Sequence, residues 1–72
     1  MKTTKLQNYA IAYTLGVSVS DIKSIKMDIQ NDIIIVHYTI RYYNSPTMAR
    51  KVLSYTDIHS TVMIHGRSLI NI

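Results

Sequence analysis

The sequence predicts an α+β domain of two layers: an N-terminal helix packed on a three-stranded antiparallel β-meander, closed by a C-terminal helix or a fourth strand. Three observations carry this. Thr4 and Gln7 open an apolar, helix-spaced segment that Gly16 ends. Ile25, Met27 and Ile29 alternate with Lys26, Asp28 and Gln30, and beyond Asn31-Asp32 a second long apolar run can fold back on them. Asn44-Ser45-Pro46-Thr47 then marks a further turn before another strand-like stretch. At 72 residues, with no cysteine, the chain is a single domain, residues 1–72, near the size at which a lone core gives marginal stability. A two-layer unit leaves one face of its sheet uncovered, so self-association into a homodimer is expected.

The first helix, Thr4 to Leu15, begins with a capping box. In the Thr4-x-x-Gln7 relation, hydroxyl and amide each satisfy an otherwise orphaned backbone N–H. Gly16 can take the left-handed conformation that ends a helix. Leu6, Tyr9, Ala10 and Tyr13, continued by Val17, share one side and are expected to cover the sheet. Ile11 and Leu15 lie nearly opposite and need a second partner.

Two readings divide the next segment. In the first, a strand runs from about Lys23 to Gln30 on a two-residue period. With Asn31-Asp32 as a two-residue hairpin loop, Ile29 faces Ile34, Met27 faces Val36 and Ile25 faces Tyr38, so one side of the hairpin is uniformly apolar. In the second, Ser18 to Lys26 is a helix that follows a turn at Gly16.

For the third strand, a loop at Asn44 to Thr47 sets Arg41 against Arg50, Thr39 against Val52 and Tyr38 against Leu53. Ala49, Leu53 and Tyr55 join the covered face, and Lys51 falls on that side with a stem long enough to reach past the edge. Thr56-Asp57 signals a helix start and Gly66 a helix stop, with Ile58, Val62 and His65 between them at helical spacing. The β-branched run from Ser60 to Ile64 would suit a strand instead. Arg67 to Ile72 is too apolar for a free tail and is expected to dock as an edge strand or against another subunit.

The second reading carries a resemblance. LGVSVSDIKSI resembles the helix-turn-helix motif of bacterial and phage regulators, with Ala12 as the small residue of the first helix and Gly16 as the turn glycine. Ile11, Leu15, Val17, Ile22 and Ile25 stand at its apolar spacers. The hairpin would follow as a wing, as in excisionases. The resemblance implies that Ser18, Ser20, Lys23 and Lys26 meet DNA. The order α-β-β-β-α is also similar to that of double-stranded RNA-binding domains in topology, although their basic helix-start signature is absent.

Catalysis needs groups that converge, and the sequence offers none. The aspartates at 21, 28, 32 and 57 are scattered, with no glutamate, so no paired-carboxylate site is expected. His37, His59 and His65 lack metal-ligand spacing. Gly16 and Gly66 are the chain's glycines, which leaves no phosphate loop or nucleophile elbow. No catalytic residue, metal or cofactor is therefore assigned. No run approaches the roughly 20 apolar residues of a membrane span, and the N-terminal residues lack a signal-peptide core, so the expected location is the cytoplasm.

Eight Lys and Arg against four acids give a net charge of +4. Such a domain is drawn to polyanions by a long-range, salt-sensitive term. The uncovered sheet face would collect Lys26, His37, Arg41, Tyr43 and Arg50, with Lys23 nearby, around Ile33, Ile35 and Val52. Cations beside an aromatic can grip phosphates while the ring stacks a base. The leading expectation is thus a small nucleic-acid-binding protein, of the kind that serves as a regulator. The alternative is an oligomeric protein-interaction module, an inhibitor or assembly adaptor, that uses Ile33, Ile35 and Val52 as its interface.

Overall fold

The computed structural model describes residues 3–42 and 45–70. Helix α1 spans Lys5–Leu15; after a 3₁₀ turn at Val19–Asp21 come strands β1 (Ile22–Asp28), β2 (Ile33–Tyr42) and β3 (Ser45–Ser54), then helix α2 (Tyr55–Ile70). The strands form one antiparallel sheet in the order β1-β2-β3. Both helices lie on the same face, where Ala10 and Ile11 of α1 and Ile58 and Leu69 of α2 enclose Ile34, Val36 and Tyr38 of the central strand. The shortest dimension of the molecule is 17 Å, as two layers require. Ile11, Ile34, Ile58 and Val36 are fully buried, and each contributes about 1.5–3 kcal/mol by leaving water.

Local chemistry sets the ends of α1. Thr4 Oγ1 accepts from the Gln7 N–H at 3.2 Å, and Gln7 Oε1 accepts from the Thr4 N–H at 2.8 Å, so the capping box closes in both directions. At the other end Gly16 sits at φ 70°, a conformation that costs a residue with a Cβ about 1–2 kcal/mol. The buried side of the helix is turned from the expected one: Ala10, Tyr9 and Val17 meet the core as expected, but Ile11 does too and Tyr13 does not. Ala10, Ile11 and Ala12 are buried, whereas Tyr13 is exposed beside His65 of α2, with ring centroids 6.4 Å apart. Ile11 thus points into the core, and the partner it needed is the same sheet and α2.

Residues 22–28 are strand, which removes the helix-turn-helix reading. A second capping box explains the switch. Ser18 Oγ accepts from the Ser20 N–H and Asp21 Oδ2 accepts from the Ser18 N–H, each at 3.3 Å, closing a single 3₁₀ turn from which Ile22 leaves extended. Ser18 and Ser20 therefore lie in a tight turn, with no recognition helix to carry them.

The registers differ from those expected. The β1–β2 loop has four residues, Ile29 to Asp32, because Asp28 folds its carboxylate over the turn. Its oxygens accept from the Asn31 N–H at 3.2 Å and from Asn31 Nδ2 at 2.8 Å. Asp32, at φ 58°, then returns the chain to β2. Met27 consequently pairs with Ile34 and Ile25 with Val36, a displacement of two residues from the Met27–Val36, Ile25–Tyr38 and Ile29–Ile34 pairs. A bulge at Lys23 brings Ile22 opposite Tyr38 on the covered side. Between β2 and β3, pairing reaches Tyr42–Ser45, so Ser45, Pro46 and Thr47 belong to the strand and not to the loop. Arg50 faces His37 and Arg41 faces Pro46; the Arg41–Arg50, Thr39–Val52 and Tyr38–Leu53 pairs do not form. Pro46 is accommodated because β3 is an edge strand.

At the C-terminal end the expected helix forms and the alternative fourth strand does not; it has 16 residues and runs through Gly66, the expected stop. A mid-helix glycine costs about 1 kcal/mol, but continuing one more turn buries Leu69, which is 3% exposed and returns more than that. The start of α2 is held from a distance. Ser54 Oγ accepts from the Asp57 N–H, while Asp32, in the β1–β2 loop at the same end of the sheet, accepts from the Thr56 N–H at 2.7 Å and from the Thr56 and Ser54 hydroxyls at 2.8 Å. The Thr56 hydroxyl, then the Thr56 N–H and the Ser54 hydroxyl, hold the Asp32 carboxyl below its usual range.

Candidate nucleic-acid interface

The face of the sheet away from the helices is built from the alternate residues of each strand. In the observed register these form cross-strand rows: Asp28–Ile33–Ser54, Lys26–Ile35–Val52, Ser24–His37–Arg50, then Thr39–Met48 and Arg41–Pro46. Because side chains directly opposite in an antiparallel sheet stand about 4.5–5.5 Å apart at Cβ, each row is a set of neighbours. Lys26, His37 and Arg50 therefore occupy two adjacent rows and surround Ile35 and Val52. Lys26 and Arg50 are exposed and His37 is half-buried. His37 Nδ1 lies 3.2 Å from Ser24 Oγ.

The negative charges near this face are already engaged. Asp28 is held by Asn31, and Asp32 by Ser54 and Thr56. Asp21 reaches Arg41, with Oδ1 3.8 Å from Nε, and this is the ion pair found among the described residues. Lys26 and Arg50 have no carboxylate at ion-pair distance among the described residues, although Asp28 stands one row from Lys26, while the charge of Arg41 is partly offset.

Lys26, His37, Arg50, Ile33, Ile35 and Val52 are brought together. Arg41 stands on the same face two rows further on. Lys23 is not with them: at the bulge it lines a recess with Thr3, Asn8 and Val19, on the side where α1 begins. Tyr43 lies outside the described residues, so His37 is the ring of this group whose position is described. Ser24 belongs to the cluster and was not singled out by sequence reasoning, although the two-residue alternation that placed Lys26 also placed Ser24 two positions earlier. Asp21 could not have been found that way, since only the fold brings it to Arg41.

The apolar part of the face is compact. Ile35 and Val52 are a direct cross-strand pair, Val52 is 48% exposed, and Ile33 and Ile35 line a shallow recess of about 460 Å³ along β1 with Lys26, Met27 and Asp28. Elsewhere, His59 and His65 stand on α2, on the other side of the sheet from His37, and among the described residues no three of His, Asp and Glu come together as a metal site. No helix among these residues is long and apolar enough to cross a membrane. Comparisons with protein-family models, curated proteins and solved structures give no match for this chain.

Proposed function

We propose that the chain is a small, cytoplasmic, non-enzymatic nucleic-acid-binding protein, in the manner of a regulator, that contacts phosphates through the uncovered face of its sheet. The observation that carries this is the pairing of neighbouring rows: Lys26 and Arg50 project from the exposed face on either side of His37, with no carboxylate at ion-pair distance among the described residues. Three strands side by side give a support across which a nucleic-acid backbone can lie.

Association of labelled single-stranded and duplex oligonucleotides, followed by fluorescence anisotropy over a salt series, tests the reading. If Lys26, Arg41 and Arg50 each meet one phosphate, log K falls against log salt with a slope of about −2 for single strands and about −3 for duplex. Arg50→Ala is expected to reduce that slope by about one phosphate's share and to change stability by no more than about 0.5 kcal/mol. Failure of either strand form to bind at low salt overturns the proposal.

A second reading rests on the Ile35–Val52 pair. An apolar centre ringed by Lys26, His37 and Arg50 has the make-up of a protein contact, here between two copies or with an acidic partner. It expects Ile35→Lys to dissociate an oligomer; an unchanged mass in solution counts against it.

A further inference from the structure

We infer that Ser24, His37 and Arg50 form a proton-gated seat for a phosphate group on the open sheet face. The three are one cross-strand row, with Ser24 on β1, His37 on β2 and Arg50 on β3. The inference rests on the nucleic-acid reading for its natural ligand, a phosphodiester, but the seat itself recognises the phosphate group alone.

The hydrogen bond between Ser24 Oγ and His37 Nδ1, at 3.2 Å, is the working part. A serine hydroxyl both donates and accepts, and an imidazole ring nitrogen does one or the other according to its proton. With His37 neutral as the Nε2–H tautomer, the serine hydrogen points at Nδ1 and is spent inside the protein. When Nδ1 takes a proton from solvent, it donates to the serine oxygen, and the serine hydrogen turns outward. The row then offers an anion the serine O–H, the Nε2–H of an imidazolium and the guanidinium of Arg50. Before protonation the Nε2–H and the guanidinium are already there, and what the row gains is the serine O–H and the positive charge of the ring.

The surroundings supply the sign. From β1 the groups beside His37 are Ser24 and Lys26, and from β3 it is Arg50; two rows away on either side stand Arg41, whose charge Asp21 partly offsets, and Asp28. Both helices lie on the opposite face. An anion in the row is bound better once the imidazolium is present. The two events are linked, so each favours the other equally. The exposure of Ser24 and Arg50 leaves the seat open to solvent.

The test uses oligothymidylate, whose bases do not titrate in the relevant range, and inorganic phosphate as a second probe. At constant ionic strength, affinity for the oligonucleotide is expected to rise about tenfold from about pH 8 to about pH 5.5, the interval in which an imidazole changes charge. His37→Gln should flatten this dependence and Ser24→Ala should weaken it, while His59→Gln, on the far side, should leave it intact. In NMR titrations of the intact protein, either probe should move the His37 titration to higher pH. Oligonucleotide binding with an unmoved His37 curve and no pH dependence overturns the seat and leaves the salt-dependent face standing. A His37 response to inorganic phosphate without oligonucleotide binding keeps the seat as a small-anion site and removes the nucleic-acid reading. A response to neither probe removes both.

Discussion

The two faces of the β-sheet are made by the same strands from alternate residues, yet they differ in almost every physical respect. On the covered face, the rows Met27–Ile34–Leu53, Ile25–Val36–Lys51 and Ile22–Tyr38–Ala49 meet the helices, and the one charged residue among them stands on the edge strand, where its ammonium can reach water. On the open face, cations, hydroxyls and an imidazole flank a small apolar centre. The difference teaches that a thin two-layer domain separates its chemistry by side: one face holds the core, and the other presents polar and charged groups to solvent.

Ile34 and Ile35 give the strongest way to break this comparison, since they are adjacent in sequence and opposite in environment. Ile34→Ala empties a fully buried site and is expected to cost about 2–5 kcal/mol in urea unfolding, enough to leave a domain of this size mostly unfolded. Ile35→Ala, on the half-buried open face, should cost about 1 kcal/mol or less. Similar losses at both positions would mean that a partner layer covers the open face in the folded state.

A smaller effect sharpens what holds the covering layer in place. Asp32 ties the first hairpin loop to the start of α2 through hydrogen bonds from Thr56 and Ser54, which hold its carboxyl below the ordinary value. Its contribution is therefore complete above the ordinary carboxylate range near 3.8 and is lost as pH falls through the lower folded-state value. Asp32→Asn is expected to lower the unfolding midpoint at neutral pH and to weaken the acid-side fall in stability. An unchanged acid profile in that variant would show that another carboxylate governs it.

The two glycines give the smallest and most discriminating contrast within the same layer. Gly16→Ala forces a Cβ into a left-handed position and should cost about 1–2 kcal/mol. Gly66 lies inside α2, where a Cβ would sit 3.8 Å from a Leu6 methyl, an ordinary contact. Gly66→Ala should therefore stabilise by about 0.5–1 kcal/mol through helix propensity. Opposite signs in thermal melts are the expected outcome.

Much of the fold was legible in the chain because its signals are local. A capping box at Thr4 and Gln7, a left-handed stop at Gly16 and the alternation around Ile25 each act over a few residues. Gly66 was misread because glycine permits a stop without demanding one, and the deciding term was the burial of Leu69 against elements far away in sequence. Tyr13 and Ile11 exchanged places for a related reason. Both lie on apolar sides of α1, and which side is buried depends on where α2 crosses it.

What the sequence by itself determined is the separation of the two faces. Each pairing differed from expectation by an even number of residues, two in the first hairpin and four in the second. A side-chain period of two is unchanged by an even shift, so the described strand residues kept their expected sides, while Ile29 moved into the loop and Tyr55 into α2. Which residues stand side by side on a face is a different matter. That depends on how each loop satisfies its own hydrogen bonds, as Asp28 and Asp32 do, and on where the strands come to rest against the helices. The tertiary structure alone therefore set Arg50 beside His37, brought Ser24 to its ring, and separated the two arginines that simple turn chemistry would have opposed.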